Sequence, residues 1–290
     1  MAAPLADEHG FEVRSLAAPP QALYRHTAIE TGGVVGFENV SDEDVRAFDE
    51  YGYLVVRDAF SPQQIADALA GIVDLIMGKY PGYDGVLYEA AARDLRDTLA
   101  PEDRQDTVRK LSYFVDYEAR LHALATYPPM LSVLRRIIGD EPDMFQDMAL
   151  LKPPKIGREK PWHQDNAYFN LPVETPVVGV WIALDEALIE NGCMHIIPGT
   201  HRDGPVVHFK RRDWQICDTD VQVNHIVAVP LQPGSCLLFN GLLHHGTPPS
   251  RSAKRRRAVQ YHYKPARVML SDDDAARLAV FGEEGKDVYC

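Results

Sequence analysis

The sequence has 290 residues, of which 46% are hydrophobic and 25% are charged, a composition typical of a globular protein that can bury a large core. Its net charge of -12 argues against nucleic acid or an anionic membrane surface as the main partner, since both require a basic surface. No apolar run approaches the roughly 20 residues of a membrane span, and the acidic start lacks the order of a secretory signal.

The four cysteines are far apart in the sequence and form no C-x-x-C pair. This spacing argues against a zinc knuckle or a disulfide framework and favours reduced thiols. We therefore expect a cytoplasmic protein.

Composition divides the chain into an arm and one domain. Residues 1–40 are rich in Ala, Pro and Gly and show no sustained period, which predicts an irregular N-terminal arm. The remaining residues, 41–290, are expected to form a single domain. Residues 200–224 interrupt the regular pattern and are expected to form a lid-like insert.

The first part of the domain is predicted to be mostly helical. Ser41 and Asp44 have the spacing of a capping box, and Ser61 followed by Pro62 is typical of a second helix start. Apolar periodicity also predicts a helix in RKLSYFVDYEARLHALA and another that begins at Pro129. Between the first two helices, GYLVVRDAF is typical of a strand.

The second part has the pattern of short strands separated by turn residues, which indicates a β-sandwich or barrel. The predicted strands are MFQDMALLK, PWHQDNAYF, VVGVWIALDEA, CMHIIPG, NHIVAVPL, GSCLLFNG and RRAVQYHYK.

A histidine and a carboxylate stand two residues apart in PWHQDNAYF. If this segment is extended, His163 and Asp165 point to the same face and could bind one metal ion. A site with two histidines and one carboxylate needs a third ligand from a neighbouring strand. The best candidates are His244 and His245 in LLHHGTP, of which only one can face the metal. The competing histidines are His195, His225 and His262.

A basic tract follows these histidines and leads directly into the apolar strand AVQYHY. Most of its charges are expected to be solvated, but an arginine at the start of an inward-facing strand is costly to bury without a carboxylate partner. A dicarboxylate cosubstrate would supply that partner with bidentate geometry. The tract comprises Arg251, Lys254, Arg255, Arg256 and Arg257.

Over residues 41–265 the sequence resembles the phytanoyl-CoA dioxygenase family of iron(II)- and 2-oxoglutarate-dependent oxygenases. The resemblance rests on LLKPP before PWHQD, on GVWIALDEALIENGCMHIIPGTH, and on LLHHGTPPSRSAKRRRA, in that order and spacing. It implies a mainly β fold, a double-stranded β-helix with flanking helices.

The resemblance also implies a set of site residues. Iron(II) would be bound by His163, Asp165 and His245, and dioxygen would take a remaining position. The far carboxylate of 2-oxoglutarate would pair with Arg256, close to Trp181. Further residues at matching positions would help to hold 2-oxoglutarate, namely Lys110, Gln146 and Thr247.

The implied activity is oxidation, most simply hydroxylation, of a small metabolite or natural product, with release of succinate and carbon dioxide. Related halogenases replace the carboxylate with a small residue, so Asp165 disfavours halogenation. Three alternatives stay open at this point. They are an acyl-CoA hydroxylase of the same family, a metal-binding cupin enzyme that does not use 2-oxoglutarate, and a catalytically silent scaffold.

Two regions are candidates for substrate binding. Tyr168 and Phe169 follow the carboxylate ligand and are expected to line the pocket. The insert contains a basic and aromatic cluster, for which a solvated loop is the simpler interpretation and a grip on an anionic small molecule the functional one. The cluster comprises His208, Lys210, Arg211, Arg212 and Trp214, of which Arg211 and Trp214 are the binding candidates.

Overall fold

Two β-sheets face each other and enclose the inner core of the protein. The computed structural model describes residues 20–92, 94 and 98–282. Over these residues, the larger sheet has eight strands, the smaller has five, and a separate two-stranded hairpin lies in the insert. The predicted mainly β architecture with flanking helices is therefore confirmed, and among the described residues neither sheet closes into a barrel.

The strands are β1 (Ala28–Ile29), β2 (Val34–Val35), β3 (Tyr53–Arg57), β4 (Val86–Tyr88), β5 (Val108–Ser112), β6 (Pro142–Lys152), β7 (Lys160–His163), β8 (Val178–Ala183), β9 (Met194–Ile196), β10 (His208–Lys210), β11 (Trp214–Ile216), β12 (Val227–Val229), β13 (Cys236–Asn240), β14 (His245–Thr247) and β15 (Arg256–Pro265). The larger sheet has the order β2-β3-β13-β8-β15-β6-β5-β4, and the smaller has the order β1-β12-β9-β14-β7. The α-helices are α1 (Asp42–Tyr51), α2 (Pro62–Ile76), α3 (Ala119–Ala125), α4 (Pro128–Ile138) and α5 (Ala275–Phe281).

Helices α1 to α4 pack on the outer face of the larger sheet and form its main hydrophobic core. Both predicted helix starts are confirmed. The Ser41 hydroxyl accepts from the Asp44 amide and the Ser61 hydroxyl accepts from the Gln64 amide, each within a complete capping box. These side chains satisfy amide groups that the first turn of a helix leaves without partners.

Two predictions for the first part of the chain were wrong. The segment RKLSYFVDYEARLHALA is not one helix, because its first residues belong to β5, where Lys110 and Leu111 pair with Leu150 and Ala149 of β6. Only its end is helical, in α3. The predicted arm is not irregular throughout, since β1 and β2 each add a parallel strand to a sheet edge. Residues 1–19 of the arm lie outside the described residues.

The inner core lies between the two sheets and positions the strand β15. It contains Trp181 and Phe239 from the larger sheet and Met194 and Ile196 from the smaller sheet. Because side chains alternate along a strand, β15 turns every second residue, starting with Arg256, towards this space. Within the described ranges, no helix combines the length and the apolar character that crossing a membrane requires.

Candidate metal centre and its cavity

Three side chains converge between the sheets. His163 ends β7, Asp165 begins the following 3-10 turn, and His245 begins β14. The possible ligand atoms of all three lie within 4.8 Å of one another. The Nε2 atoms of His163 and His245 lie 3.2 Å and 3.5 Å from Asp165 Oδ1. All three side chains are buried, so the cluster is formed inside the protein.

The pairing of β14 with β7 creates this convergence by placing His245 directly opposite His163. The prediction that PWHQDNAYF is extended throughout was wrong, because residues Asp165–Tyr168 form a 3-10 turn. Gln164 nevertheless has φ -112° and ψ 132°, within the extended region. The chain is therefore extended up to the residue before Asp165, and the Asp165 carboxylate lies on the same side as His163.

The backbone orients both histidine rings. Nδ1 of His163 lies 2.7 Å from the Pro161 carbonyl oxygen, and Nδ1 of His245 lies 2.9 Å from the Leu243 carbonyl oxygen. A ring that donates through Nδ1 presents the lone pair of Nε2 to a metal ion. Burial, with a contribution from His245, lowers the pKa of His163 to about 3, so its ring is neutral at physiological pH.

Two residues of β15 hold the second oxygen of the carboxylate. Asp165 Oδ2 lies 3.1 Å from Gln260 Nε2 and 2.7 Å from His262 Nε2. Burial raises the pKa of Asp165, but the rings of His245 and His262 outweigh burial and hold it well below the ordinary value. The contacts at Oδ2 leave Oδ1 directed at the two histidines. His262, a competing ligand in the sequence, thus supports the carboxylate, and Gln260 was missed.

The other competing histidines lie outside the cluster. His225 is exposed in a 3-10 turn, and His195 packs against Tyr24. His244 is buried, and its backbone amide donates to the Thr200 hydroxyl. Of the two adjacent histidines, the structure therefore brings His245 to the centre.

The donor set fits iron(II). Two imidazoles and one carboxylate oxygen on one side of a metal ion form the facial arrangement of non-haem iron(II) oxygenases, with positions left for other ligands. Zinc sites with closed tetrahedral coordination use four protein ligands, and only three residues group here among the described part of the chain.

The cluster opens into a cavity of about 180 Å³, called here the inner cavity. Its wall combines apolar side chains with convergent polar and charged groups, as the walls of small-molecule sites do. The inner cavity is lined by Leu87, Arg109, Lys110, Gln146, Met148, Leu150, Leu151, Lys152, Arg158, Lys160, His163, Asp165, Tyr168, Phe169, Met194, Asp213, His245, Gly246, Thr247, Arg256 and Gln260.

Arg256 is the buried cation that the sequence predicted. Only 2% of the residue is exposed, and burial lowers the pKa of its guanidinium to about 10. Its Nη1 donates to the Leu150 carbonyl oxygen at 2.9 Å, and its guanidinium lies 5.4 Å from the Trp181 ring centroid. Arg256 Nε, Trp181 Nε1 and Gln146 Oε1 are buried without a hydrogen-bond partner among the described residues.

Of these atoms, the Arg256 Nε donor belongs to a residue that lines the inner cavity and fits a carboxylate ligand, because a buried donor without a partner costs about 1–3 kcal/mol. Three of the predicted cosubstrate residues, Lys110, Gln146 and Thr247, line the inner cavity beside Arg256. Trp181 supports the guanidinium from within the core. The structure thus places the predicted cosubstrate residues in one region.

The predicted substrate residues are divided between two environments. Tyr168 and Phe169 line the inner cavity. Tyr168 donates to the Trp214 carbonyl oxygen at 2.6 Å, and Trp214 is buried behind it in the hairpin of the insert. Arg211 is exposed in the same hairpin and does not line the inner cavity. The prediction that Arg211 binds substrate therefore stays a prediction.

The chain is similar to a protein-family model and to several known proteins. The family model "Phytanoyl-CoA dioxygenase (PhyH)" matches residues 48–258. The "Phytanoyl-CoA dioxygenase domain-containing protein 1" of Danio rerio is 26% identical over 261 residues, covering 77% of this chain and 89% of that protein. The ectoine dioxygenase of Sphingopyxis alaskensis is 27% identical over 227 residues, covering 72% of this chain and 70% of that protein.

A solved structure shares the fold. EvdO2 from Micromonospora carbonacea var. aurantiaca, crystallised with 2-oxoglutarate, superimposes with a TM-score of 0.64 at 24% sequence identity. The match covers 84% of this chain and 97% of EvdO2. The facing sheets and the helical layer described above are therefore common to both proteins.

Proposed function

The chain belongs to the phytanoyl-CoA dioxygenase family, and we propose that its His163, Asp165 and His245 bind iron(II) while Arg256 binds the distal carboxylate of 2-oxoglutarate. The protein is an iron(II)- and 2-oxoglutarate-dependent dioxygenase. This residue assignment rests on the convergence of three donor atoms within 4.8 Å in a cavity that is also lined by a buried arginine.

When bound, iron(II) and 2-oxoglutarate supply the oxidation of a substrate C–H bond by dioxygen, with succinate and carbon dioxide as coproducts. The residues of the chain position the reactants and exclude water. Gln260 and His262 fix the orientation of the Asp165 carboxylate. We propose that this carboxylate, as a metal ligand, favours hydroxylation over halogenation. Phe169 and Tyr168 form the wall beside the metal ligands, where they would shield the reacting C–H bond from solvent.

The substrate is proposed to be a small organic molecule with an anionic group. Six cationic side chains line the inner cavity against two carboxylates, in a chain whose net charge is -12. One of the carboxylates is the metal ligand Asp165, and the other, Asp213, pairs with Lys160 at 2.9 Å. Arg158 is one of the six cations that line the inner cavity, and it is the proposed contact of the anionic group of the substrate.

Succinate formation tests this proposal. The iron(II)-loaded protein would be incubated with 2-oxoglutarate and a panel of small carboxylates, phosphate esters, neutral analogues and acyl-CoA thioesters. We expect only anionic compounds to stimulate succinate release. Arg158→Gln should raise KM for such a compound and leave the uncoupled turnover without substrate unchanged. Stimulation by neutral compounds alone would contradict an anionic substrate.

The same panel tests two further possibilities. Stimulation by acyl-CoA thioesters and by none of the small carboxylates would identify an acyl-CoA hydroxylase, as the names of several relatives suggest. Arg211→Ala should raise KM if the insert grips the anionic group. An unchanged KM would remove Arg211 from substrate binding.

We also propose that the protein works in a reducing compartment, the cytoplasm. Cys193, Cys217 and Cys236 are buried free thiols, which supports a chain that does not depend on disulfides.

A further inference from the structure

A second buried cation lies beside the proposed cosubstrate arginine. Lys152 of β6 and Arg256 of β15 are direct cross-strand partners, so their side chains point to the same face of the sheet. The two residues are 3% and 2% exposed, and both line the inner cavity. Two basic side chains therefore face one buried space.

The fold fixes the position of the Lys152 amine. Two glycines form a slot around the lysine stem: a Cβ atom at Gly192 would lie 2.6 Å from Lys152 Cδ, and one at Gly157 would lie 2.7 Å from Lys152 Cβ. Any other residue at these positions would collide with the lysine. The amine emerges from this slot and donates to the Arg158 carbonyl oxygen.

The nearby carboxylates are occupied by other partners. Glu89 accepts from Arg109 at 3.4 Å and from the Arg158 amide at 3.1 Å. Glu159 accepts from Arg212 and from the Tyr24 hydroxyl. Within the described part of the chain, Lys152 forms no ion pair with a carboxylate. Burial, together with Arg256 and Arg109, lowers the pKa of Lys152 well below its ordinary value.

This arrangement is unfavourable without a ligand. Like charges directly opposite each other across two strands destabilise a sheet, and a buried ammonium without a counterion is costly. A carboxylate placed between the lysine and the arginine would remove both penalties. The distal carboxylate of 2-oxoglutarate is the anion that the proposed function already assigns to Arg256.

We propose that Lys152 is a second cationic contact of the distal carboxylate of 2-oxoglutarate, alongside Arg256. This inference rests on the proposed function. The pair of cations makes the site select a 2-oxo dicarboxylate over a 2-oxo monocarboxylate. Lys152 acts as a binding and positioning residue, because the 2-oxo end of the cosubstrate, near the metal, is the end that reacts.

The test compares 2-oxoglutarate with 2-oxopentanoate, which has a methyl group in place of the distal carboxylate. Each would be titrated into the anaerobic iron(II) protein, and its Kd read from the visible metal-to-ligand charge-transfer absorption. The variant is Lys152→Met, because methionine fills the glycine slot without a charge. Lys254→Met is the control, since Lys254 is exposed and pairs with Glu186 away from the cavity.

Lys152→Met should raise the Kd of 2-oxoglutarate about 10- to 100-fold and the Kd of 2-oxopentanoate less than about 3-fold, because only the former loses a charged contact. Lys254→Met should change neither Kd. An unchanged Kd for 2-oxoglutarate would overturn the proposal. So would an equal rise for both compounds, which would indicate a structural role.

An independent variant keeps the test decisive if Lys152→Met does not fold. Arg256→Met retains Lys152 and should still bind 2-oxoglutarate several-fold more tightly than 2-oxopentanoate. Loss of this preference would mean that Lys152 contributes no contact. Absence of the absorption band for 2-oxoglutarate in the wild-type iron(II) protein is a separate result, which would contradict the proposed function itself.

Discussion

At the scale of single residues, the centre depends on side chains that are not ligands. The hydrogen bonds of His163 and His245 to carbonyl groups two residues earlier select the ring nitrogen that faces the metal. His262 and Gln260 do the same for the carboxylate by occupying Asp165 Oδ2. Removal of such partners commonly lowers metal affinity by about 10- to 100-fold.

The first prediction follows from the His262 contact. His262→Leu should weaken iron(II) binding about 10- to 100-fold, because Asp165 loses the group that fixes its second oxygen. Affinity would be measured anaerobically by competition with a chromogenic chelator. His122→Gln, at an exposed position on α3, is the matched control and should bind iron(II) as the wild type does. Wild-type affinity in the leucine variant would show that the contact is unimportant.

The residues of the centre were predictable in part. The His163 and Asp165 pair follows from alternation along an extended chain, and the choice of His245 over His244 came from the family resemblance. Strand periodicity could not make that choice, because either residue can face inward until the register of β14 with β7 and β9 is known. Gln260 left a signal, since it stands four residues after Arg256 on the same strand face.

At the scale of elements, the C-terminal helix α5 secures the turn that begins with Asp165. Arg277 of α5 donates to the Ala167 carbonyl oxygen at 2.8 Å and to Asn170 Oδ1 at 2.7 Å. Its guanidinium also lies 5.1 Å from the Trp214 ring centroid. One arginine thus connects the helix, the turn and the insert.

The second prediction concerns this arginine. Arg277→Met should lower the free energy of unfolding by about 1–3 kcal/mol, because the Ala167 carbonyl group loses its charged partner. Iron(II) affinity should fall with it, since the turn carrying Asp165 becomes less constrained. Urea denaturation and chelator competition would measure the two effects. The control Arg267→Met removes an exposed arginine that pairs with Asp140 and should change neither quantity.

Local signals predicted the elements well where local chemistry determines them. The capping boxes at Ser41 and Ser61 are short-range hydrogen-bond patterns, and both appear as expected. Strand β5 was predicted as helix because its pairing with β6 is a long-range contact, in which Lys110 lies opposite Leu150. Tertiary pairing of this kind overrides a local helical pattern.

At the scale of the whole molecule, the net charge of the chain and the charge around the inner cavity have opposite signs. The net charge of -12 argues against polyanionic partners, yet six cationic side chains and only two carboxylates line the inner cavity. Overall composition therefore describes the outer surface and says nothing about the site. The number of histidines in the sequence likewise does not give their charge, because several of them are buried and neutral.

The third prediction is acid sensitivity of the metal-free protein. Burial lowers the pKa of His195 and of His244 to about 4 and that of His208 to about 3. These values lie below the unfolded value of about 6.5, so the unfolded chain binds more protons and stability falls as pH decreases below it. Each histidine should remove about 1.4 kcal/mol between about pH 7.5 and pH 5.5, or about 4 kcal/mol together.

Urea denaturation of the metal-free protein at both pH values measures this loss. The His122→Gln variant, which removes an exposed histidine, should lose as much stability as the wild type. A free energy of unfolding that is the same at the two pH values would contradict the neutral, buried state of these rings.

We propose that His163, Asp165 and His245 hold iron(II) next to a 2-oxoglutarate site at Arg256. The most direct measurement is the visible metal-to-ligand charge-transfer band of the anaerobic iron(II) protein after addition of 2-oxoglutarate. We expect the band in the wild type, no band in His163→Ala, and in Arg256→Ala a band that needs much more 2-oxoglutarate to develop. A folded, iron-loaded wild type without the band would contradict the claim.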